Sequence, residues 1–213
     1  MTGFTPSNSL LPPVVKLLLI ANGLMFVVEL SYGDQLISNL ALWPLEMSFS
    51  PLAESMQVHF ELFQLLTYGF LHGSVMHLLL NMYALWLFGS RMENVWGSSA
   101  FAVYYVVCVL GAGLTQLLVA SLSGGYYPTI GASGGVFGLL LAFGMRFPNE
   151  RLMLIFPPVV LPAKWFVTIY AAIELWAGVT GTQAGVAHFA HLGGMLFGYL
   201  LIRYWRRQPP RLR

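Results

Sequence analysis

Charge is what this sequence has least of: Asp, Glu, Lys and Arg make up 8% of its 213 residues, against roughly 25% in a soluble domain. With 57% hydrophobic residues and a mean hydropathy of +0.72, that shortage excludes an ordinary water-exposed surface and points to a membrane protein. Cysteine occurs once, at Cys108 in "YYVVCVLGAG", so no intrachain disulfide can form, and the residue reads as a small buried apolar side chain. The first apolar run, from near Pro12, lacks a preceding basic segment and a following small-residue cleavage site, so it is expected to be a span rather than a removed signal peptide. Apolar stretches of about 20 residues fill the chain, leaving no room for a separate soluble domain.

Basic residues are also missing from alternate connections. Hydropathy suggests six spans, about 13–31, 64–88, 99–121, 132–146, 163–179 and 186–204. Lys16 begins the first, Arg91 follows the second, Arg146, Arg151 and Lys164 surround the connection between the fourth and fifth, and Arg203, Arg206, Arg207, Arg211 and Arg213 end the chain. The other connections carry none. By the positive-inside rule both termini are expected in the cytoplasm. The fold class expected is therefore an all-α, six-span membrane bundle, with a short cytoplasmic tail at 1–11, one helical domain at 12–204 and a basic cytoplasmic tail at 205–213. The long 32–63 connection, with Asp34, Glu46, Glu54 and Glu61 among apolar residues, suits a segment at the outer interface.

Against this background three polar clusters stand out: "FLHGSVMHLLLN" in the second span, "GASGG" opening the fourth, and "GVAHFAHLGGMLFG" in the sixth. Polar groups at membrane depth are costly, so each is a functional candidate. Counting at 1.5 Å per residue from the first arginine on the cytoplasmic side, Ser133 lies roughly 20 Å in, His191 roughly 18 Å, His77 roughly 21 Å and Asn81 roughly 15 Å. In a hydrocarbon core of about 30 Å, these share one level some 10 Å below the outer surface.

Helical phase sorts them further. His77 and Asn81 are i and i+4 and share a face, whereas His72, nine residues before Asn81, points away and reads as structural. Gly194 and Gly198 form a small-residue ridge on the sixth span, and Gly134, Gly138 and Ala142 another on the fourth, next to Ser133. "AHFAH" offers two imidazoles one turn apart. His191 lies only about 20° from the direction of Gly198 and His188 about 80°, so packing through these ridges brings His191 to the serine. The pair then has the arrangement in which an imidazole takes a hydroxyl proton and returns it to a leaving amine.

Taken together, "HGSVMHLLLN", "GASG" and "AHLGGMLFG", with "GSRMENVWG" after the second span, resemble the rhomboid family of intramembrane serine proteases over about residues 12–204. The resemblance implies a Ser–His dyad without a third acid: Ser133 as nucleophile and His191 as general base and acid. His77, Asn81 and the Ser133 backbone N–H would form an oxyanion hole, with Gly131 keeping the backbone open beside it. Two departures stand out. Phe63 and Gln64 occupy the place of a usual Trp-Arg, which puts the anchoring of the first loop in question; Phe137 replaces a tyrosine stacked on the histidine, keeping the ring and losing the hydroxyl.

The expected activity is endoproteolysis of the transmembrane segments of other membrane proteins near their extracytoplasmic end, in a bacterial inner membrane, with an organellar membrane as the alternative. Helix-weakening residues near the cut should favour cleavage, since an intact helix hides its carbonyls. No cofactor, metal or nucleic-acid partner is expected. The rival readings are a catalytically silent membrane-client binder and a small transporter or metal carrier using His72, His77, His188 and His191. Glu174, near the outer end of the fifth span, reads as a solvated or hydrogen-bonded carboxyl beside the cavity rather than a triad member.

Overall fold

The structure, a computed structural model, describes residues 9–45, 58–124, 127–153, 158–182 and 187–208. Glu46, Glu54, Arg211 and Arg213, along with most of the first tail, lie outside the described residues.

Helix α1 runs Pro13–Leu40, longer than the expected span, with a non-helical residue at Tyr32 where that span was expected to end. Pro13 suits the first helical position, where an N–H has no partner. The free N–H groups of Val14 and Val15 donate to the Glu93 carboxylate at 3.0 and 2.9 Å, and Ser98 donates to the same group at 2.6 Å. An acid buried to 2% exposure, on the short helix Ser90–Trp96, thus caps the first helix.

The expected second span is two helical pieces. Helix α2 (Gln64–Thr67) continues as a 3₁₀ turn (Tyr68–Phe70), and after a break at residues 71–74 helix α3 (Val75–Ala84) departs at 100°. The break has a local cause: Ser74 is fully extended, and its hydroxyl accepts the His77 N–H at 3.1 Å, capping a new helix rather than continuing the old one. A π turn (Leu85–Gly89) joins α3 to α4 (Ser90–Trp96). Gly97, at φ 80°, leads into α5 (Ser98–Ser123).

Helix α5 is the centre of the molecule. In its most apolar stretch 44% of residues are buried, against 11% for α1, which sits at the periphery. Against it pack α6 (Ser133–Arg146) and α8 (His188–Arg207), and α7 (Ala163–Thr180) packs in turn on those two. Phe101, Tyr104, Cys108, Leu139 and Met195 fill the space between α5, α6 and α8, and Tyr104 donates its hydroxyl to the Gly138 carbonyl at 2.8 Å. The connection between α6 and α7 contains a short antiparallel hairpin, β1 (Arg151–Met153) with β2 (Val160–Pro162), so the all-α expectation is corrected to a mostly helical fold. Helices α1 and α5 are each long and apolar enough to cross a membrane, and the bent pair Gln64–Phe70 with Val75–Trp96 passes the same test as one unit.

The glycine ridges pack in part as expected. A Cβ on Gly194 would land on the Gly134 carbonyl, so α6 and α8 meet backbone to backbone there. Gly198, in contrast, faces Tyr104 and Cys108 of α5, not α6. The stripe that carries both glycines looks into a groove with α6 on one side and α5 on the other, and about one turn of helix is enough to pass from one wall to the next.

Candidate active site

Gly131 precedes α6 with φ 124°, a backbone conformation few side chains tolerate, and its N–H donates to the Tyr68 carbonyl at 2.9 Å. Tyr68 is itself fixed by a 2.7 Å bond from its hydroxyl to the Val109 carbonyl of α5. A Cβ at Gly131 would come within 2.8 Å of His77 Cε1 and 2.9 Å of His77 Nε2. Only a glycine lets that imidazole approach the start of α6.

Ser133 is the first residue of α6, where backbone N–H groups lack intrahelical acceptors and the helix dipole favours negative charge. His191 lies in the first turn of α8, and its Nε2 stands 2.8 Å from Ser133 Oγ. Phe137, one turn along α6, stacks flat on the His191 ring, with centroids 4.2 Å apart and planes 5° apart. The glycine register had selected His191 over His188, and the structure brings His191 to the serine. His188 turns instead toward α7: its Nδ1 is 2.7 Å from Glu174 Oε2 and its Nε2 is 3.3 Å from the Thr182 carbonyl.

Glu174 is the residue that sequence reasoning undervalued. Its Oε2 also lies 2.8 Å from His191 Nδ1, so a buried carboxylate meets the edge of the imidazole opposite Ser133. The expected hydrogen-bonded carboxyl is therefore found, and one of its two partners is the His191 ring. A signal was available: Glu174 is ten residues from Lys164, roughly 15 Å along the helix, the same depth as Asn81. Glu174, His188 and His191 offer three potential metal-ligand atoms within 4.8 Å of one another. Those atoms are already engaged in the hydrogen bonds just described, and the four-histidine set does not form such a group among the described residues.

His77 and Asn81 share the cavity-facing side of α3. The Asn81 amide nitrogen donates to the His77 carbonyl at 3.0 Å, and an amide nitrogen has a second proton left to offer. His72 departs from the helical-phase argument, because it lies in the break before α3 rather than on that helix. Its ring is buried and packs edge-on to His77 at 5.0 Å between centroids, and its backbone N–H donates to the Glu29 carboxylate at 3.1 Å. It supports His77 from behind. Gln64, where anchoring was in question, is a firm anchor: it is 1% exposed, accepts from the Trp43 N–H at 3.3 Å, and donates to the Asn39 and His59 carbonyls at 3.2 and 3.0 Å. The neighbouring Phe63 is exposed.

Ser133, His191, His77, Asn81 and Phe137 all line one cavity of about 850 Å³. It runs between α3 on one side and α6 and α7 on the other, with Leu80, Leu87, Leu140 and Phe166 along its walls and Arg151–Met153 at its far end. A mostly apolar trough with a hydroxyl, two imidazoles and a carboxamide at one end can hold an apolar chain and present one polar bond to a nucleophile.

The fold and site thus define a helical membrane protein with a serine–histidine pair facing an apolar trough. The chain belongs to the rhomboid family: residues 59–208 match the model of the rhomboid domain. It is 33% identical over 153 residues to the presenilin-associated rhomboid-like protein, mitochondrial, of Mus musculus, covering 66% of this chain and 39% of that protein. It is 33% identical over 136 residues to rhomboid protein 1, mitochondrial, of Saccharomyces cerevisiae, covering 62% and 38%. RHOMBOID-like protein 4 of Arabidopsis thaliana is 36% identical over 138 residues, covering 65% and 32%. The chain therefore spans about two fifths or less of the length of these curated relatives. Two of their names specify mitochondria, so the expected bacterial inner membrane gains no support from them.

Proposed function

We propose that this chain is an intramembrane serine endopeptidase acting on the transmembrane segments of other membrane proteins. The observation that carries the reading is the 2.8 Å approach of Ser133 Oγ to His191 Nε2 at the polar end of an 850 Å³ apolar trough, in a rhomboid domain.

The chemistry follows from the geometry. His191 Nε2 takes the Ser133 hydroxyl proton as Oγ adds to the scissile carbonyl carbon, and the carbonyl electron pair moves onto its oxygen. That oxyanion forms beside the start of α6, where the unpaired Ser133 N–H, the helix dipole, His77 Nε2 and the second proton of the Asn81 amide can reach it. Collapse breaks the C–N bond as His191 returns the proton to the leaving amine. Water, activated by the same imidazole, then releases the acyl group. These steps need no cofactor.

The proposed topology has six spans, formed by α1, the bent α2–α3–α4 unit and α5 to α8, with both termini cytoplasmic. Fourteen residues of α6 make roughly 21 Å, so a helix whose Arg146 lies at the cytoplasmic face ends well short of the outer surface. The cut then falls near the extracytoplasmic end of the substrate helix. Segments carrying glycine there are the preferred substrates, since their backbone opens most readily.

The test is cleavage of a model transmembrane substrate by the purified full chain in detergent, compared with Ser133→Ala. The substituted protein should fall to background. Cleavage that survives the substitution rejects the assignment, and client binding without cleavage by the unsubstituted chain would favour the silent relative.

A further inference from the structure

Glu174 has no part in a two-residue mechanism, yet it is 8% exposed and uses a single oxygen, Oε2, toward Nδ1 of both His188 and His191, at 2.7 and 2.8 Å. A carboxylate oxygen can accept two N–H bonds. Geometry alone then assigns protons. If His191 carries its proton on Nδ1, directed at Glu174, its Nε2 holds a lone pair directed at Ser133 Oγ, and that is the only neutral tautomer able to take the serine proton.

His188 is in a different position. Its Nδ1 faces the same carboxylate and its Nε2 faces the Thr182 carbonyl at 3.3 Å, so both neighbours are acceptors. Only the doubly protonated imidazolium satisfies both. Among the described residues, the groups that face this cluster are Ser133 from α6, His77 from α3 and Glu174 from α7, and the carboxylate is the one anion among them.

We propose that Glu174 is a positioning residue for His191: its ionised carboxylate fixes the Nδ1 proton so that Nε2 is free for Ser133, and the His188 imidazolium is the counter-ion that keeps this buried carboxylate charged. The inference rests on the protease reading above. At rest the His188–Glu174 pair is neutral overall, which lowers the cost of placing a carboxylate among apolar helices. When His191 gains a second proton in the tetrahedral intermediate, the carboxylate faces the new charge at 2.8 Å. No proton passes to Glu174 in this scheme. The helices add geometry: Phe137 clamps the ring plane from one side while Glu174 sets its rotation, so base and nucleophile stay aligned.

Two measurements test it. The first compares kcat, KM and fluorophosphonate labelling of Ser133 in Glu174→Gln, Glu174→Asp and the parent. The glutamine keeps the shape but removes the charge, and if its amide nitrogen takes the Oε2 place it reverses the tautomer. We expect kcat to fall by at least about 10²-fold with KM little changed, toward the roughly 10⁴-fold loss caused by neutralising a histidine-orienting carboxylate in a serine–histidine–acid site. Labelling should slow in parallel, and Glu174→Asp should recover part of the rate. A glutamine variant with kcat within about threefold of the parent, while Ser133→Ala and His191→Ala are inactive, overturns the role of Glu174 and leaves the protease reading intact. Activity surviving Ser133→Ala overturns the reading itself.

The second measurement needs no variant at position 174 to fold. In ¹⁵N-histidine-labelled full chain in micelles near neutral pH, assigned by His188→Gln and His191→Gln, His191 should show a protonated Nδ1 and a bare Nε2. His188 should show both nitrogens protonated. A His191 proton on Nε2, or a neutral His188, overturns the proposal.

Discussion

Gly134 of α6 and Gly194 of α8 stand backbone against backbone, with no room for a methyl between them. Ser133 immediately precedes the first, and His191 lies one turn before the second. The 2.8 Å bond between nucleophile and base is therefore set by how closely these helices approach. Gly194→Ala should force them apart at a cost of about 1–3 kcal/mol, the usual range for overpacking. Its cleavage rate should drop more steeply than its stability, because a small misplacement of reacting groups is costly to rate. Thermal unfolding in detergent alongside cleavage kinetics checks this. An unchanged midpoint with an unchanged rate would show that the seam tolerates a side chain.

Gly131 poses a separate constraint. Its φ of 124° and the nearness of His77 mean that an alanine must strain the backbone and displace the imidazole. Gly131→Ala should lose about 10²- to 10³-fold in kcat, the loss typical of one oxyanion-hole donor. KM should change little, since the trough walls are untouched. A loss confined to KM would place Gly131 in substrate binding instead.

Much of this site was legible because a helix has a fixed period. Counting at 1.5 Å and 100° per residue put Ser133, His191, His77 and Asn81 at one depth and chose His191 over His188, and both helices that carry the pair are regular. The count failed where the chain stops being a regular helix. "LHGS" at residues 71–74 sits in an apolar window that hides a break, and only the capping preference of Ser74 signalled that His72 does not share the phase of Asn81. Gly198 was misassigned because residue spacing reports which stripe a glycine occupies, not which neighbouring helix faces that stripe. Glu174 was undervalued for a third reason: the partners of a lone acid in a span depend on which residues of another helix are turned toward it, and no periodicity within its own helix encodes that.

Glu93 ties the start of α1 to helix α4 after the π segment, accepting from Val14, Val15 and Ser98. Glu93→Ala removes a cap and strands three donors. The cost should reach at least the roughly 0.5–2 kcal/mol of an ordinary N-cap, and exceed it because the site is buried. The active site lies on other helices, so protein that remains folded should keep its kcat. Thermal midpoints and single-turnover cleavage at low temperature separate the two effects, and a kcat loss in fully folded protein would mean that α1 positions the site.

Phe137 tests what the ring contributes without a hydroxyl. Its plane lies 5° from that of His191 at 4.2 Å, an arrangement that fixes the imidazole by contact area rather than by a directed bond. Phe137→Tyr keeps that contact, so the rate should stay within about threefold of the parent. Phe137→Leu retains bulk but loses the flat face. Stacked aromatic pairs contribute about 0.5–1.5 kcal/mol beyond area, which corresponds to a rate loss of about 2- to 13-fold if the whole contact serves to align the base. Cleavage kinetics on both variants decide the matter. A tyrosine variant much faster than the parent would show that the hydroxyl does work which phenylalanine forgoes, whereas equal rates for phenylalanine and leucine would remove the stack from the mechanism altogether.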